Sequence, residues 1–295
     1  MTSRAPLLLT VPNVSEGRDA ATIEALAGGF GGARLLDVHS DPDHNRSVFT
    51  FAARQGEVAP ALASGAARAA ELIDLSAHTG AHPHVGALDV APVVHLSPAD
   101  RGAAVAEALT AATLIGEAGL PVFLYGDLAT REDQRERSVI RRGGPEALAE
   151  RIDTGHATPD FGPARANSQA GCVLVTARPP LVAFNVDLVT GDVGVAKRIA
   201  ASIREAGGGF PGVRALGIAL PARGRAQVSM NVHDHERAPL AEIVGRIARE
   251  ADIAEAELVG LAPRAAFEGF PEEIPLRNFD PERHLIENAL GATGV

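Results

Sequence analysis

Apolar positions along the chain fall into two successive series of the same kind. In the first half, Leu7 to Val11 is a short run that reads as a buried strand. Ile23, Leu26, Ala27 and Phe30 then recur at helical spacing until Gly28, Gly29, Gly31 and Gly32 loosen the chain. Arg34 to Val38 reads as a second strand, Asp41-Pro42-Asp43-His44-Asn45 as a loop of turn formers, and Val48 to Ala52 as a third strand. Val58, Leu62, Ala66, Ala69, Leu72 and Ile73 mark a long amphipathic helix, and Leu88 to Leu96 a fourth strand. The order strand, helix, strand, strand, helix, strand is that of a split βαβ, or ferredoxin-like, unit.

Ser97-Pro98-Ala99-Asp100 places a cap and a first-turn proline ahead of an alanine-rich helix, and Pro121 to Tyr125 adds an apolar strand. Arg131 to Gly171 is polar and rich in Gly and Pro. It reads as an irregular excursion with a short helix near Glu146 to Ile152. The second half repeats the first order: strand Leu181 to Val189, helix Val193 to Glu205, strands Val213 to Leu220 and Ala226 to Val232, helix Leu240 to Ala251, strand Glu257 to Leu261. Asp280-Pro281 caps a last short helix ending near Leu290. The pattern predicts an α+β protein of two ferredoxin-like subdomains, residues 1–177 and 178–295. Their sheets would face each other across a cleft.

Composition narrows the function classes. A hydrophobic fraction of 46% over 295 residues is enough to bury a sizeable core. The formal charge of −10 and the absence of Trp argue against nucleic acid as a partner; the one local excess of arginine, Arg131 to Arg142, is diluted by Glu132, Asp133 and Glu136. Met1 to Thr10 is too short in apolar residues for a signal-peptide core or a membrane span, so a cytoplasmic protein without membrane contact is expected. A lone Cys172 excludes an intrachain disulfide and any multi-cysteine metal site.

Candidate chemistry concentrates in His78-Thr79-Gly80-Ala81-His82-Pro83-His84-Val85-Gly86. Three histidines stand here among two glycines and a proline. Gly80 and Pro83 disfavour the helix on which His78 and His82 would stack as a zincin-type ligand pair. An imidazole on a rigid loop between a helix and a buried strand exchanges protons near neutral pH, and this suits transfer of a group between two nitrogens; a loop histidine can equally serve only to bond the backbone. His39, His44, Asn45 and Arg46 surround a strand-loop junction, where Asn45 is compatible with left-handed backbone and Arg46 with a substrate carboxylate. His233-Asp234-His235 puts two imidazoles on one strand face without a third ligand, and no metal is expected. Gly207-Gly208-Gly209 lacks the Lys-Ser/Thr of a phosphate loop.

Several segments, taken in order, resemble the glutamate formiminotransferase family. They are Val11 to Gly17 (VPNVSEG), Asn45-Arg46-Ser47-Val48, His82 to Asp89 (HPHVGALD), Tyr125-Gly126, Pro159 to Pro163 (PDFGP) and Ala183-Phe184-Asn185-Val186. The resemblance implies two stacked ferredoxin-like subdomains with a folate tunnel between them, and a homodimer. It assigns the acid-base role to His82. It places the folate-contacting segment at Gly162, Pro163, Ala164, Arg165, Ala166, Asn167, Ser168, Gln169, Ala170 and Gly171, and it makes His39, Asn45, Arg46 and His84 further pocket residues. His39, Ala81, His84 and Ala170 depart from the vertebrate pattern, which has aspartate, glutamate, arginine and tryptophan there.

The implied reaction moves a formimino group from N-formimino-L-glutamate to N5 of tetrahydrofolate, the co-substrate, without a metal. It belongs to histidine degradation, in a stand-alone form lacking a cyclodeaminase segment. Two alternatives stay open at this point: a related transferase using N-formylglutamate, motivated by the four departures, and a non-catalytic folate-binding module. A metal-dependent hydrolase, resting on His233, His235 and the loop histidines, is more distant.

Overall fold

The computed structural model of the protein describes residues 5–292. The chain divides into two compact units between Pro179 and Pro180.

The first unit is built on a seven-stranded sheet. Its opening strand is interrupted at Val11-Pro12, giving β1 (Leu7–Thr10) and β2 (Asn13–Val14). Helix α1 (Ala20–Ala27) starts at Asp19, whose carboxylate accepts from the N–H groups of Ala21 and Thr22. Next come the hairpin β3 (Arg34–Asp41) and β4 (Arg46–Arg54), helix α2 (Val58–Leu72) and strand β5 (Leu88–His95). The strands lie in the order β3, β4, β1 with β2, β5, and every neighbour pair is antiparallel. Helix α2 buries Val58, Leu62, Ala66 and Ala69, spaced so that one face meets the sheet, in a core with Phe30, Phe49 and Phe51. Gly65 is required on that helix because a Cβ there would lie 2.1 Å from the Phe30 ring.

Helix α3 (Arg101–Glu117) and strand β6 (Val122–Leu124) follow. Helices α4 (Arg137–Ile140) and α5 (Gly144–Asp153) come next, and strand β7 (Val173–Arg178) closes the unit, lying between β5 and β6 and parallel to both. One expectation is corrected, and one strand is added that the sequence analysis did not assign. The run Val173 to Arg178 is a central strand that the apolar pattern does not single out. Residues 131–171 are also more than an excursion, because Ile140, Leu148 and Ile152 pack on Val90, Phe123 and Leu174 as a second small core. The physical reason is shared: parallel strands covered on both faces lose the alternation that marks a half-buried strand, and their second face then needs a helical cover.

The second unit contains β8 (Val182–Leu188), α6 (Val193–Ile203), β9 (Val213–Leu220), β10 (Arg225–Val232), α7 (Leu240–Ala248) and β11 (Ile253–Val259). Its four-stranded sheet runs β11, β8, β10, β9, antiparallel throughout. Phe184, Val186, Val228 and Met230 alternate inward against Ile199, Ile243 and Ile247 of the helices. The alternate positions carry a buried polar network in which Gln227 Nε2 donates to Asp187 Oδ1 at 2.8 Å and Arg277 Nη2 donates to Glu257 Oε2 at 2.5 Å. Strand β11 begins at Ile253 rather than Glu257, and the last helix is two short pieces, α8 (Pro281–His284) and α9 (Ile286–Gly291). His233 and His235 do not share a strand face, since β10 ends at Val232. Beyond it Asp234 Oδ1 accepts from the Arg237 N–H at 3.1 Å and turns the chain toward α7.

Candidate active site

The His82 loop spans the gap between a 3-10 turn at Leu75–Ala77 and β5, and the tip of the β3–β4 hairpin supports it. Asp41 Oδ1 accepts from the N–H groups of Asp43 and His44 at 2.8 and 2.9 Å, which folds that tip. Asn45 is in the left-handed region at φ 47°. Its Oδ1 accepts from the Gly17 N–H at 3.0 Å while its Nδ2 donates to the Thr79 carbonyl at 3.1 Å, so one amide ties three segments together. His78 Nε2 donates to the Asn45 carbonyl at 2.9 Å, and the Ala81 N–H donates to the Asp43 carbonyl at 3.1 Å. The close approach leaves no room at Gly80, where a Cβ would stand 2.3 Å from the His44 carbonyl oxygen.

Behind this loop lies a buried ion cluster. Asp89 is fully inaccessible. Its Oδ1 accepts from the Val85 N–H at 2.9 Å, and its Oδ2 accepts from Arg46 Nη1 at 2.7 Å and from Arg141 Nη2. Arg46 spends its remaining donors on Asn13, with Nη2 and Nε at 2.8 and 3.1 Å from Oδ1. Burial alone would raise the Asp89 pKa; the Arg141 and Arg46 guanidinium groups outweigh it and hold the carboxyl well below the usual carboxylate range. Arg46, compatible from sequence with a substrate carboxylate, is bonded here to Asp89 and Asn13.

His82 is half-buried in front of this cluster, with its ring 5.7 Å from that of the buried His44. Its Nδ1 lies 2.8 Å from the Pro83 carbonyl oxygen. A carbonyl only accepts, so Nδ1 carries the hydrogen and Nε2 presents its lone pair. Burial, then the charges of Arg46, Arg141 and His44, push the His82 pKa well below the ordinary imidazole value, with Asp89 pulling the other way. The ring is therefore neutral at physiological pH, ready to take a proton. His78 and His84 form a second, edge-on pair at 4.2 Å between ring centres, and His84 Nδ1 donates to the His82 carbonyl at 3.3 Å. Burial and then His78 lower the His84 pKa.

The segment from Gly162 to Gly171 is bonded directly to the end of this loop. The Ala87 N–H donates to the Ala170 carbonyl at 2.9 Å, the Cys172 N–H to the Val85 carbonyl at 2.9 Å, and Gly86 bridges Gly171. Asn167 Oδ1 accepts from the N–H groups of Gln169 and Ala170 at 3.0 and 2.9 Å. Gly171, at φ 67°, admits no Cβ because the Val85 carbonyl oxygen would be 2.1 Å away. Ala164, Arg165, Ser168 and Gln169 are exposed, Pro163, Ala166 and Asn167 half-buried. Ala170 is only 3% exposed and belongs to the core of the first unit, so its side chain offers no face for stacking.

His39 sits on β3 opposite Val48 of β4. Cys172 is buried with its thiol pushed up to about 12 by burial, which leaves no thiolate for chemistry. Arg141 was not among the residues singled out from sequence, and Asp89 entered only as the last letter of a motif. Their signal lies in burial, which appears only once α4 is seen to cover the sheet. Among the described residues no helix is long and apolar enough to cross a membrane, and no group of three or more His, Cys, Asp or Glu is placed to hold a metal.

Residues 7–178 match the family model of the formiminotransferase domain, N-terminal subdomain, and residues 183–269 that of the formiminotransferase domain. The chain belongs to the formiminotransferase family. The chain is 36% identical to a glutamate formimidoyltransferase of Streptococcus pyogenes, over 97% of its length and 99% of that protein. It is 36% identical to a glutamate formimidoyltransferase of Thermoplasma acidophilum, covering 96% of the chain and 97% of that protein. The pig formimidoyltransferase-cyclodeaminase is likewise 36% identical over 97% of this chain, which spans 56% of the pig protein.

Proposed function

We propose that this protein moves the formimino group of N-formimino-L-glutamate to N5 of tetrahydrofolate, giving 5-formiminotetrahydrofolate and glutamate. The observation that carries the reading is the state of His82: Nδ1–H is tied to the Pro83 carbonyl, and the ring is held neutral with Nε2 available. In the reaction N5 attacks the amidine carbon, a bond forms between them, and the N5 proton passes to His82 Nε2. The imidazolium then returns that proton to the glutamate nitrogen as the bond from carbon to that nitrogen breaks. The proton taken from N5 is the one returned to the glutamate nitrogen, so proton count and charge close on the single imidazole.

Folate is taken to lie along Gly162 to Gly171. Support comes from the hydrogen bonds joining this segment to the His82 loop, and from the exposed polar side chains of Arg165, Ser168 and Gln169. We also assign each unit to the ferredoxin-like class. The repeated antiparallel orders β5, β1, β4, β3 and β11, β8, β10, β9 support that assignment. Assembly as a cytoplasmic homodimer and a role in histidine degradation follow the family resemblance.

The test is an assay of the purified protein with tetrahydrofolate and, in separate reactions, N-formiminoglutamate and N-formylglutamate. Loss of donor and formation of the N5-substituted folate are followed. Turnover of the formimino donor is expected. Turnover of the formyl donor alone would replace the substrate, and no folate product from either would remove the reading.

A further inference from the structure

Four guanidinium groups stand where α4 covers the parallel strands, and one carboxylate serves them. Arg137 and Arg141 are one helical turn apart, with the Arg141 N–H donating to the Arg137 carbonyl at 2.9 Å. Side chains so spaced lie next to each other, about 5–6 Å apart at Cβ. Arg141 reaches Asp89 beside Arg46, while the Arg137 guanidinium lies 5.5 Å from the centre of the Tyr125 ring. Tyr125 acts electrostatically on Arg178, whose Nη1 donates to the Pro179 carbonyl at 3.0 Å.

Among the described residues Asp89 is the one carboxylate bonded to any of Arg46, Arg137, Arg141 and Arg178. Its second oxygen is committed to the Val85 N–H. Arg141 is buried, yet its Nε–H has no partner. Burial pulls Arg141 and Arg178 down to about 10, which leaves both cationic at neutral pH. A surplus of poorly hydrated cations with an idle donor is costly unless an anion completes it.

We infer that Arg141 and Arg137 hold the two carboxylates of the glutamyl donor, Arg141 the α-carboxylate and Arg137 the side-chain carboxylate. The inference rests on the reaction proposed above. The α-carboxylate shares a carbon with the nitrogen that His82 must protonate, so it belongs beside an arginine of the Asp89 cluster that has a donor to spare. Arg46 is committed to Asp89 and Asn13, whereas Arg141, on the same Asp89 oxygen, keeps its Nε–H. The other carboxylate is separated by three intervening carbons, comparable with one helical turn, and falls to Arg137. Tyr125 and Arg178 position Arg137 from behind. The glutamyl tail of the folate has the same chemistry, and the experiment separates the two sources.

Initial rates are measured for wild type, Arg137→Gln and Arg137→Lys with each substrate varied in turn, using N-formiminoglutamine as a donor that lacks the side-chain carboxylate. Arg137 is half-buried and outside the Asp89 cluster, so its loss leaves that cluster in place. Arg137→Gln is expected to raise KM for formiminoglutamate by roughly 10- to 100-fold, the loss of one charge-assisted bond. It should leave KM for the monoglutamyl folate unchanged and abolish the preference for formiminoglutamate over formiminoglutamine, and Arg137→Lys should recover part of the loss. A raised KM for folate alone would give the arginines to the folate tail. No change in either KM would leave them a structural role, and both outcomes overturn the inference. Calorimetric binding of N-formiminoglutamate without folate separates the two proposals. Binding that weakens in Arg137→Gln in a protein without transfer activity sinks the reaction and keeps the clamp, while transfer with donor binding indifferent to Arg137 sinks the clamp alone.

Discussion

Arg46 Nη1 donates to Asp89 Oδ2 at 2.7 Å, and neither side chain reaches solvent to a useful extent. This pair joins the first residue of β4 to the second of β5, directly behind the loop that carries His82. It fixes the floor on which that loop is built.

Asp89→Asn is expected to lower stability by about 3–5 kcal/mol, because two buried arginines lose their shared counter-charge. Urea denaturation of both proteins at pH 7 measures it. The pH dependence has a definite sign. The folded-state pKa of Asp89 is depressed, so its contribution is fully present above the unfolded value near 4 and is lost as pH falls below that toward the folded value. The stability gap between wild type and variant should close in that acid range, and a gap that widened on acidification would contradict the assignment.

Asn45 acts as a tether. Asn45→Gly keeps access to φ 47° but removes the bonds to Gly17 and Thr79, so a loss of about 1–3 kcal/mol in denaturation and a lower kcat are expected. Asn45→Ala adds backbone strain and should lose roughly 1 kcal/mol more. Equal stability of the two variants would show that the backbone conformation matters less than stated here.

Ala170→Trp tests whether residue 170 meets the ligand. A tryptophan forced into a site only 3% exposed overpacks the core, and a destabilisation of about 1–3 kcal/mol or more is expected, with no gain in folate affinity. Tighter folate binding in a titration would mean the side chain turns outward.

Much of this architecture is legible in the chain because strands of the second unit alternate between core and polar face, as Phe184, Val186 and Leu188 do against Asn185 and Asp187. Strand β7 and helix α4 are not, since Val173 to Ala177 is apolar on both faces and Arg137 to Ile140 is a single turn within a polar stretch. The His82 loop stands out through its glycines and proline. Its partners do not: a buried aspartate and a buried arginine look like surface residues until the elements that cover them are known. Ala170 has the converse problem, because its place in a polar, glycine-bounded segment hides that its side chain points into the core.

Two substitutions should move the acid limb of the pH–rate profile in opposite directions. Arg141 lowers and Asp89 raises the His82 pKa. Wild type should therefore lose activity only well below pH 6.5, as the neutral base becomes protonated. Arg141→Gln should shift that limb to higher pH, and Asp89→Asn to lower pH. A common direction for both would show that the charges do not act on this histidine.

The most direct measurement is the rate of 5-formiminotetrahydrofolate formation by wild type and His82→Gln, each with saturating formiminoglutamate and tetrahydrofolate, alongside their thermal denaturation. If His82 Nε2 relays the proton from the folate nitrogen to the departing glutamate nitrogen, kcat falls roughly 100- to 10,000-fold while the melting transition stays near that of wild type. A His82→Gln protein that is folded and turns over at close to the wild-type rate across the pH range would contradict the account.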